Sequence, residues 1–415
     1  MSSSATDTST PGTTPTTTTP IQRKKRGSGA LIAVVVVIVV IILIVGLGYA
    51  AGWFKTSSSS TTGTKGCTLP SASDFKGEGS TLVAPLMDQW ATSYWTHTQL
   101  TYDSAGSSSG ITAITDKVVD FGASDYPLTT AQLAAIPGLI TIPESVGAVV
   151  PIYNLPGIST LNFNGSVLAQ MFDGQITSWN NTALQALNPG VTLPTNSIIP
   201  VHRTGGSGTS FIFTSFLSAE NAYWLTNYGK NPEWPSNITV GTGASGNSGE
   251  ADTVGTTAYA LGYVDLNYAL NSGSSIGIGD VQNKAGNFIR ASVVNTESAL
   301  ADSNPTLPTS GGQSWFNVSV LNAPGTADYP IVGLTYLLVY GNLTSSFLSY
   351  TLTNAENLVD FIHWAITTGQ SWSAPLYYAP ISTAILNLDN TTLSAMTYDG
   401  SAIPVCVPSG GGAPT

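Results

Sequence analysis

Three stretches of this sequence carry glycine, serine and threonine in a pattern suited to a small anion. They are GEGSTL (77–82), DSAGSSSG (103–110) and HRTGGSGTS (202–210), and each runs directly into a segment with helical periodicity. The first turn of a helix presents N–H groups that lack intrahelical partners, and the macrodipole places partial positive charge there. Glycine lets an anion approach the backbone, and Ser and Thr hydroxyls add donors. Three such termini aimed at one point would cage a small tetrahedral anion. The third stretch also carries Arg203, one of only two arginines beyond residue 26. Its planar fork can grip two oxygens at once. Taken singly, each turn is more simply the product of ordinary Ser/Thr capping.

A fourth loop, FGASDYPL (121–128), holds Asp125. A carboxylate beside a bound anion is electrostatically wrong unless the anion carries a proton. Phosphate keeps a P–OH that can donate to Asp125, whereas sulfate has no proton to give and would meet repulsion. One acceptor in a cage of donors thus selects phosphate over sulfate. Alone, Asp125 is more readily a turn residue ahead of Pro127.

The elements that must bring these turns together alternate along the chain. GAVVPIYN (147–154) and GLTYLLVYG (333–341) are apolar runs of strand length, expected to be buried. Leu82, Val83, Leu86, Met87, Trp90 and Tyr94 follow helix spacing, as do Ile111, Ile114 and Val118. Residues 210–225, with Phe213, Phe216, Leu217 and Trp224, predict a further helix. The pattern is α/β, and these stripes are core-facing.

At these residues the chain resembles the phosphate-binding proteins of ABC uptake systems, in membrane-anchored, archaeal form. GSTLVAPL, Y-x-x-x-GSS-x-G, VDFGASDYPL and HR-x-x-GSGTSFIFTSFL carry the resemblance in order, supported by LNPG (187–190), LGYVDLNYA (261–269) and YPIVGLTYLLVY. It spans about Phe75 to the 370s and implies a two-lobed periplasmic-binding-protein-like fold (type II) with hinge strands. The implied lobes are 74–150 with 328–406, and 151–327, with crossings near Pro151 and Tyr329. The implied phosphate contacts are Thr81 through hydroxyl and backbone, Leu82 through its N–H, and Ser107 as the cap of the second helix. Asp125 would accept the phosphate proton and Arg203 supply the charged fork. Ser207, Gly208 and Thr209 would wrap the anion at the third helix start. The resemblance further implies delivery to ABC permease subunits, no catalysis, no cofactor or metal, and a monomer. Three positions depart from the family pattern: Leu82 replaces the usual Phe, Ser109 a Gly, and Gly205 an Asp that would orient the arginine.

The rest of the chain places this module outside the cell. Residues 1–29 form a Ser/Thr/Pro-rich tail ending in the basic cluster Arg23, Lys24, Lys25 and Arg26. Residues 30–54 are an uncharged apolar run with Trp53 and Phe54 at its end, long enough to span a membrane. The basic cluster sets the N-terminus in the cytoplasm and the bulk outside. The small residues near Ala50 leave a cleaved signal as the alternative to a retained anchor. Residues 55–73 are a Ser/Thr spacer and 407–415 a loose tail. Cys67 and Cys406 bracket the globular region, and an external compartment would allow them to pair. N-x-S/T sequons at Asn164, Asn180, Asn237, Asn317, Asn342 and Asn390 fit an exported, glycosylated surface. Charged residues are only 8% of the chain, against about 25% typically. A net charge of −11 argues against nucleic acid as a partner. So few bases limit positive self-repulsion in acid, which suits an acidic external habitat.

Other chemistries find less support. Gly106-Ser107-Ser108-Ser109-Gly110 fits G-x-S-x-G, with Ser108 as nucleophile and His202 as the base, but no preceding strand or partner acid is evident. A secreted phosphatase would want clustered metal ligands, which are lacking. A phosphate-scavenging or adhesive surface protein, or a binder of another oxyanion such as sulfate, remains as an alternative. Gly241-x-Gly243-x-x-Gly246 matches a dinucleotide pattern without strand–helix context and reads as a surface loop.

Overall fold

The structure is a computed structural model and describes residues 74–94, 99–273, 275–346 and 348–403. The expected tail, membrane segment and spacer, and both Cys67 and Cys406, lie outside the described residues. Among the described residues no helix is long and apolar enough to cross a membrane.

Short strands alternate with helices, as the hydrophobic periodicity predicts. The strands are β1 (Phe75–Gly79), β2 (Leu100–Asp103), β3 (Phe121–Ser124), β4 (Leu139–Tyr153), β5 (Thr160–Phe163) and β6 (Ile199–Arg203). They continue with β7 (Thr242–Ala244), β8 (Ala260–Asp265), β9 (Gly277–Gln282), β10 (Phe288–Ile289) and β11 (Val332–Tyr340). Four helices matter to the site: α1 (Ala84–Ser93), α2 (Ser107–Thr115), α3 (Gly208–Glu220) and α4 (Gly246–Thr256).

The main sheet runs β2-β1-β3-β11-β4-β8-β6-β7, with β9 pairing β4, β5 and β10. β1, β2 and β3 are mutually parallel, as are β6, β7 and β8. β11 and β4 join the two groups by antiparallel pairing. The registers fix where these groups end. Ser124, the last residue of β3, faces Tyr336, which faces Pro143 of β4. Asp265, the last residue of β8, faces Val149 of the same strand. The carboxyl ends of both parallel groups therefore point at each other over the middle of β4. Strand carboxyl ends are where open α/β sheets bind ligands, because the following helices begin there.

β4 is buried along nearly its whole length, as expected for a strand covered on both faces. The sequence predicted only its second half. At Thr335/Tyr336 the register slips and Glu144 becomes the extra residue of a β-bulge. Pro143 beside it has no N–H to give, which a bulge tolerates and a regular ladder does not.

α1 starts with a proline in its first turn and buries Leu86, Met87 and Trp90 on one stripe. Trp90 donates its indole N–H to the carbonyl of Gly369 at 2.8 Å. α2 lies directly on the sheet because Gly110 leaves no side chain between it and Glu78, Gly79 and Ala123. It ends at Thr115, so Val118 is not on its buried stripe but 54% exposed, a correction to the expected periodicity. The stripe fails there because Lys117 takes a positive φ and turns the chain out of the helix. α3 is buried on almost every face. Phe213 on it stacks on Tyr263 at 4.2 Å and meets Phe172 edge-on. The expected helix over 210–225 is two, because Asn221 ends α3 and caps the helix Ala222–Asn227 by accepting from Trp224 N–H.

Candidate functional site

The carboxyl ends of β1, β3 and β6, and the starts of α2, α3 and α4, supply the residues that face one another over β4. Asp125 follows β3 directly and is 2% exposed. Its backbone N–H donates to Ser107 Oγ at 3.2 Å, and the N–H of Gly208 donates to the same hydroxyl at 3.1 Å. Ser107 thus ties the β3 loop to the start of α3. Ser108 N–H reinforces that seam by donating to the carbonyl of Gly206. The Asp125 carboxylate accepts from Ser80 Oγ at 2.6 Å through Oδ2, while Oδ1 is buried with no hydrogen-bond partner among the described residues. Burial pushes this carboxyl up to about 6, against the opposing pull of Ser80, Thr335, Arg203 and Ser107.

Arg203 closes β6 and is 3% exposed. Its Nε and Nη1 have no hydrogen-bond partner among the described residues. A buried guanidinium with idle donors is costly unless something accepts from them. Its backbone N–H donates to the Tyr263 hydroxyl at 3.3 Å. Three further carboxylates are fully buried around this floor: Glu144 at the β4 bulge, Glu250 on α4 and Asp265 at the end of β8. Glu144 accepts from Thr335 Oγ1, Glu250 from Tyr263 N–H and Asp265 from Asn267 N–H. Each keeps one oxygen without a hydrogen-bond partner among the described residues. Desolvation pushes all three well above the usual carboxylate range. The charge of Asp125 adds to the rise at Glu144 and Asp265, while Arg203 opposes the rise at Glu250.

Thr81 and Thr209 complete the arrangement, both buried and both held by Asn247. Ser207 is the cap of α3, accepting from Ser210 N–H at 3.2 Å. The structure therefore brings Thr81, Ser107, Asp125, Arg203, Gly208 and Thr209 to one place, with Ser207 at its edge. Two expectations need correction. Ser107 is not a helix cap: Gly106 occupies that position without a capping bond, and the Ser107 hydroxyl links Asp125 to Gly208 instead. The Leu82 N–H is not idle, because the Ser80 hydroxyl in the same tight turn accepts it at 2.9 Å.

Sequence reasoning missed Ser80, Asn247, Glu250 and Asp265. The Gly241-x-Gly243-x-x-Gly246 pattern, expected to be a surface loop, has strand–helix context after all. It runs from β7 into α4, with Gly246 at φ +69° making the left-handed turn between them. The Ala-free, Gly-rich start of α4 hid its helical periodicity; only Asn247, Glu250, Ala251 and Val254 are buried on it. Gly205 sits at φ +72° with open space where a side chain would be, so a left-handed turn accounts for the glycine there. Ser109 donates to Glu78 Oε1 at 2.5 Å. The hydrolase-like arrangement does not form: Ser108 Oγ lies 3.4 Å from Tyr126 Oη, and His202 stacks on Trp234.

Residues 55–366 match the PBP superfamily domain. A phosphate-binding protein PstS from Xylella fastidiosa is 34% identical over 325 residues, covering 76% of this chain and 84% of its own. The chain belongs to the PstS phosphate-binding protein family. A PstS from Methanocaldococcus jannaschii is 32% identical over 326 residues, or 75% of this chain and 82% of its own. The fold is the mixed α/β one of periplasmic binding proteins. A solved phosphate-binding protein from Stenotrophomonas maltophilia shares it at a TM-score of 0.60 and 18% identity, over 80% of this chain and 100% of that one. PstS-family chains such as this one are binding proteins, not enzymes.

Proposed function

We propose that this protein captures inorganic phosphate outside the cytoplasm and delivers it to the permease subunits of an ABC importer. One observation carries the reading: a buried guanidinium with idle N–H groups and a buried carboxylate with an idle oxygen share one site. An oxyanion that still carries a proton satisfies both, as acceptor to Arg203 and donor to Asp125. Sulfate satisfies only the first and leaves the carboxylate facing an anion.

Thr81, Ser107, Ser207 and Thr209 supply the remaining donors, and Gly208 joins them if its N–H leaves the Ser107 hydroxyl. Leu82 joins them if its N–H leaves the Ser80 hydroxyl as the anion enters. Residues 74–150 with 328–406 form one lobe and 151–327 the other, closing about β4 and the segment before β11. The protein works as a monomer, held to the membrane by residues 30–54 with its N-terminus in the cytoplasm. Asn180, Asn237, Asn317 and Asn342 are exposed, which supports a glycosylated surface. Titration calorimetry of the purified full chain tests the binding claim. Phosphate should bind tightly and sulfate weakly, with no hydrolysis of an aryl phosphate. Equal affinity for sulfate, or turnover of the ester, would overturn the proposal.

A further inference from the structure

Asn247, the second residue of α4, is fully buried and has both side-chain polar atoms engaged. Its Oδ1 accepts from the backbone N–H of Asp265 at 2.9 Å. That bond fixes the amide orientation, because a flipped side chain would set its NH₂ against a backbone N–H. The Nδ2 group must then point the other way. It donates to Thr81 Oγ1 at 3.0 Å and to Thr209 Oγ1 at 3.1 Å. The backbone N–H of Asn247 donates to Thr81 Oγ1 as well, at 3.2 Å.

A hydroxyl has one hydrogen and two lone pairs. Thr81 Oγ1 therefore accepts twice, and its only remaining capacity is to donate. Thr209 Oγ1 accepts once from the same amide, which fixes its place but leaves it one lone pair as well as its hydrogen. The two threonines come from opposite sides of the site, one from the β1–α1 turn and one from the first turn of α3. A serine or threonine hydroxyl normally rotates to suit its partner, donor or acceptor alike. At Thr81 that freedom is removed.

We infer that Asn247 is a positioning residue that makes Thr81 an obligate donor, so that Thr81 meets only a ligand oxygen without a hydrogen, while the same amide holds the Thr209 hydroxyl across the site. The inference rests on the phosphate-binding reading and deepens it. It assigns the ligand an orientation: an unprotonated oxygen faces Thr81, and the P–OH faces Asp125. Asn247 itself need not touch the anion. It acts through the two hydroxyls, and because they lie on opposite sides of the site it also ties the two sides together.

A mutant cycle on the purified full chain tests this, read by phosphate calorimetry with a phosphate-free melting curve as a folding control. Thr81→Val and Thr209→Val should each weaken phosphate binding about tenfold, the size of one lost neutral hydrogen bond. Asn247→Ala should weaken it at least about tenfold in the wild-type background. In the Thr81→Val/Thr209→Val background the same change should add less than about threefold, because the groups it acts through are gone. Asn247→Asp serves if the alanine variant fails to fold. It keeps the oxygen that receives the Asp265 N–H but offers the threonines an acceptor, so their hydrogens turn away from the anion. Its loss should exceed that of Asn247→Ala in the wild-type background and shrink in the double-valine background. Additive losses, with folding intact, would overturn the inference. Failure of the wild type to bind phosphate would instead overturn the function on which it rests.

Discussion

Replacing Asp125 by asparagine removes a charge while keeping the shape, and the structure sets opposite consequences for stability and for selectivity. Burial raises the Asp125 carboxyl from 3.8 to about 6 in the fold. A carboxyl that is raised on folding stabilises nothing by ionising. Below the unfolded value both states are protonated and no cost arises; as pH climbs through about 6 the fold must hold a desolvated charge that the open chain hydrates freely. The cost at pH 8 is about 3 kcal/mol. With an unfolding entropy of about 2 cal/mol/K per residue over roughly 330 residues, that is about 4 °C in Tm. Asp125→Asn should therefore melt about 4 °C above wild type at pH 8 without phosphate, and at the wild-type temperature at about pH 3.5. Asparagine can still accept from Ser80, so the local hydrogen bond survives. In calorimetry, the same variant should lose at least about tenfold in discrimination between phosphate and sulfate, since the acceptor for the P–OH is weakened. A variant less stable than wild type by the same amount at both pH values would refute the reasoning. So would unchanged selectivity.

Arg203→Ala should weaken phosphate binding by at least about 2 kcal/mol, because a buried charge-assisted contact is lost; a loss below twofold in calorimetry would contradict its role. Gly208→Ala would drive a methyl group into the Asp125 side chain, so it should abolish tight phosphate binding, measured by calorimetry, while the far-ultraviolet dichroism stays native. The phosphate-free wild type should gain stability as pH falls from 8 to 5. Asp125, Glu144, Glu250 and Asp265 are all raised by burial and lose their desolvation cost on protonation, whereas His202 and His363 are lowered and oppose the trend. Melting curves that fall steadily across that range would contradict the balance of carboxylates over histidines.

Much of this site could be read from the chain because its parts lie next to their own punctuation. Gly, Ser and Thr at 77–82, 103–110 and 202–210 announce turns, and apolar stripes announce the helices behind them. Asp125 and Arg203 stood out because charges are so scarce. What could not be read was pairing at long range. Nothing local says that Ser107 accepts from residue 208, or that Glu144 is expelled from its ladder by a register slip against Thr335. α4 was hidden for a related reason. Its start, GNSGE, has too few apolar residues to mark a buried face, because the face it buries is polar: Asn247 and Glu250 are engaged by hydrogen bonds from Asp265 and Tyr263. The second half of β4 was legible from its apolar run, but its first half contains Pro143 and Glu144, which argue locally against a central strand.

The account turns on one anion being gripped by Arg203 and Asp125 together. A crystal structure of the chain grown with phosphate tests it directly. One phosphate should lie with an oxygen on the Arg203 fork, another within hydrogen-bonding distance of Asp125 Oδ1, and two more facing the hydroxyls of Thr81 and Thr209. Phosphate bound elsewhere, or held at this place without contact to both the guanidinium and the carboxylate, would contradict it.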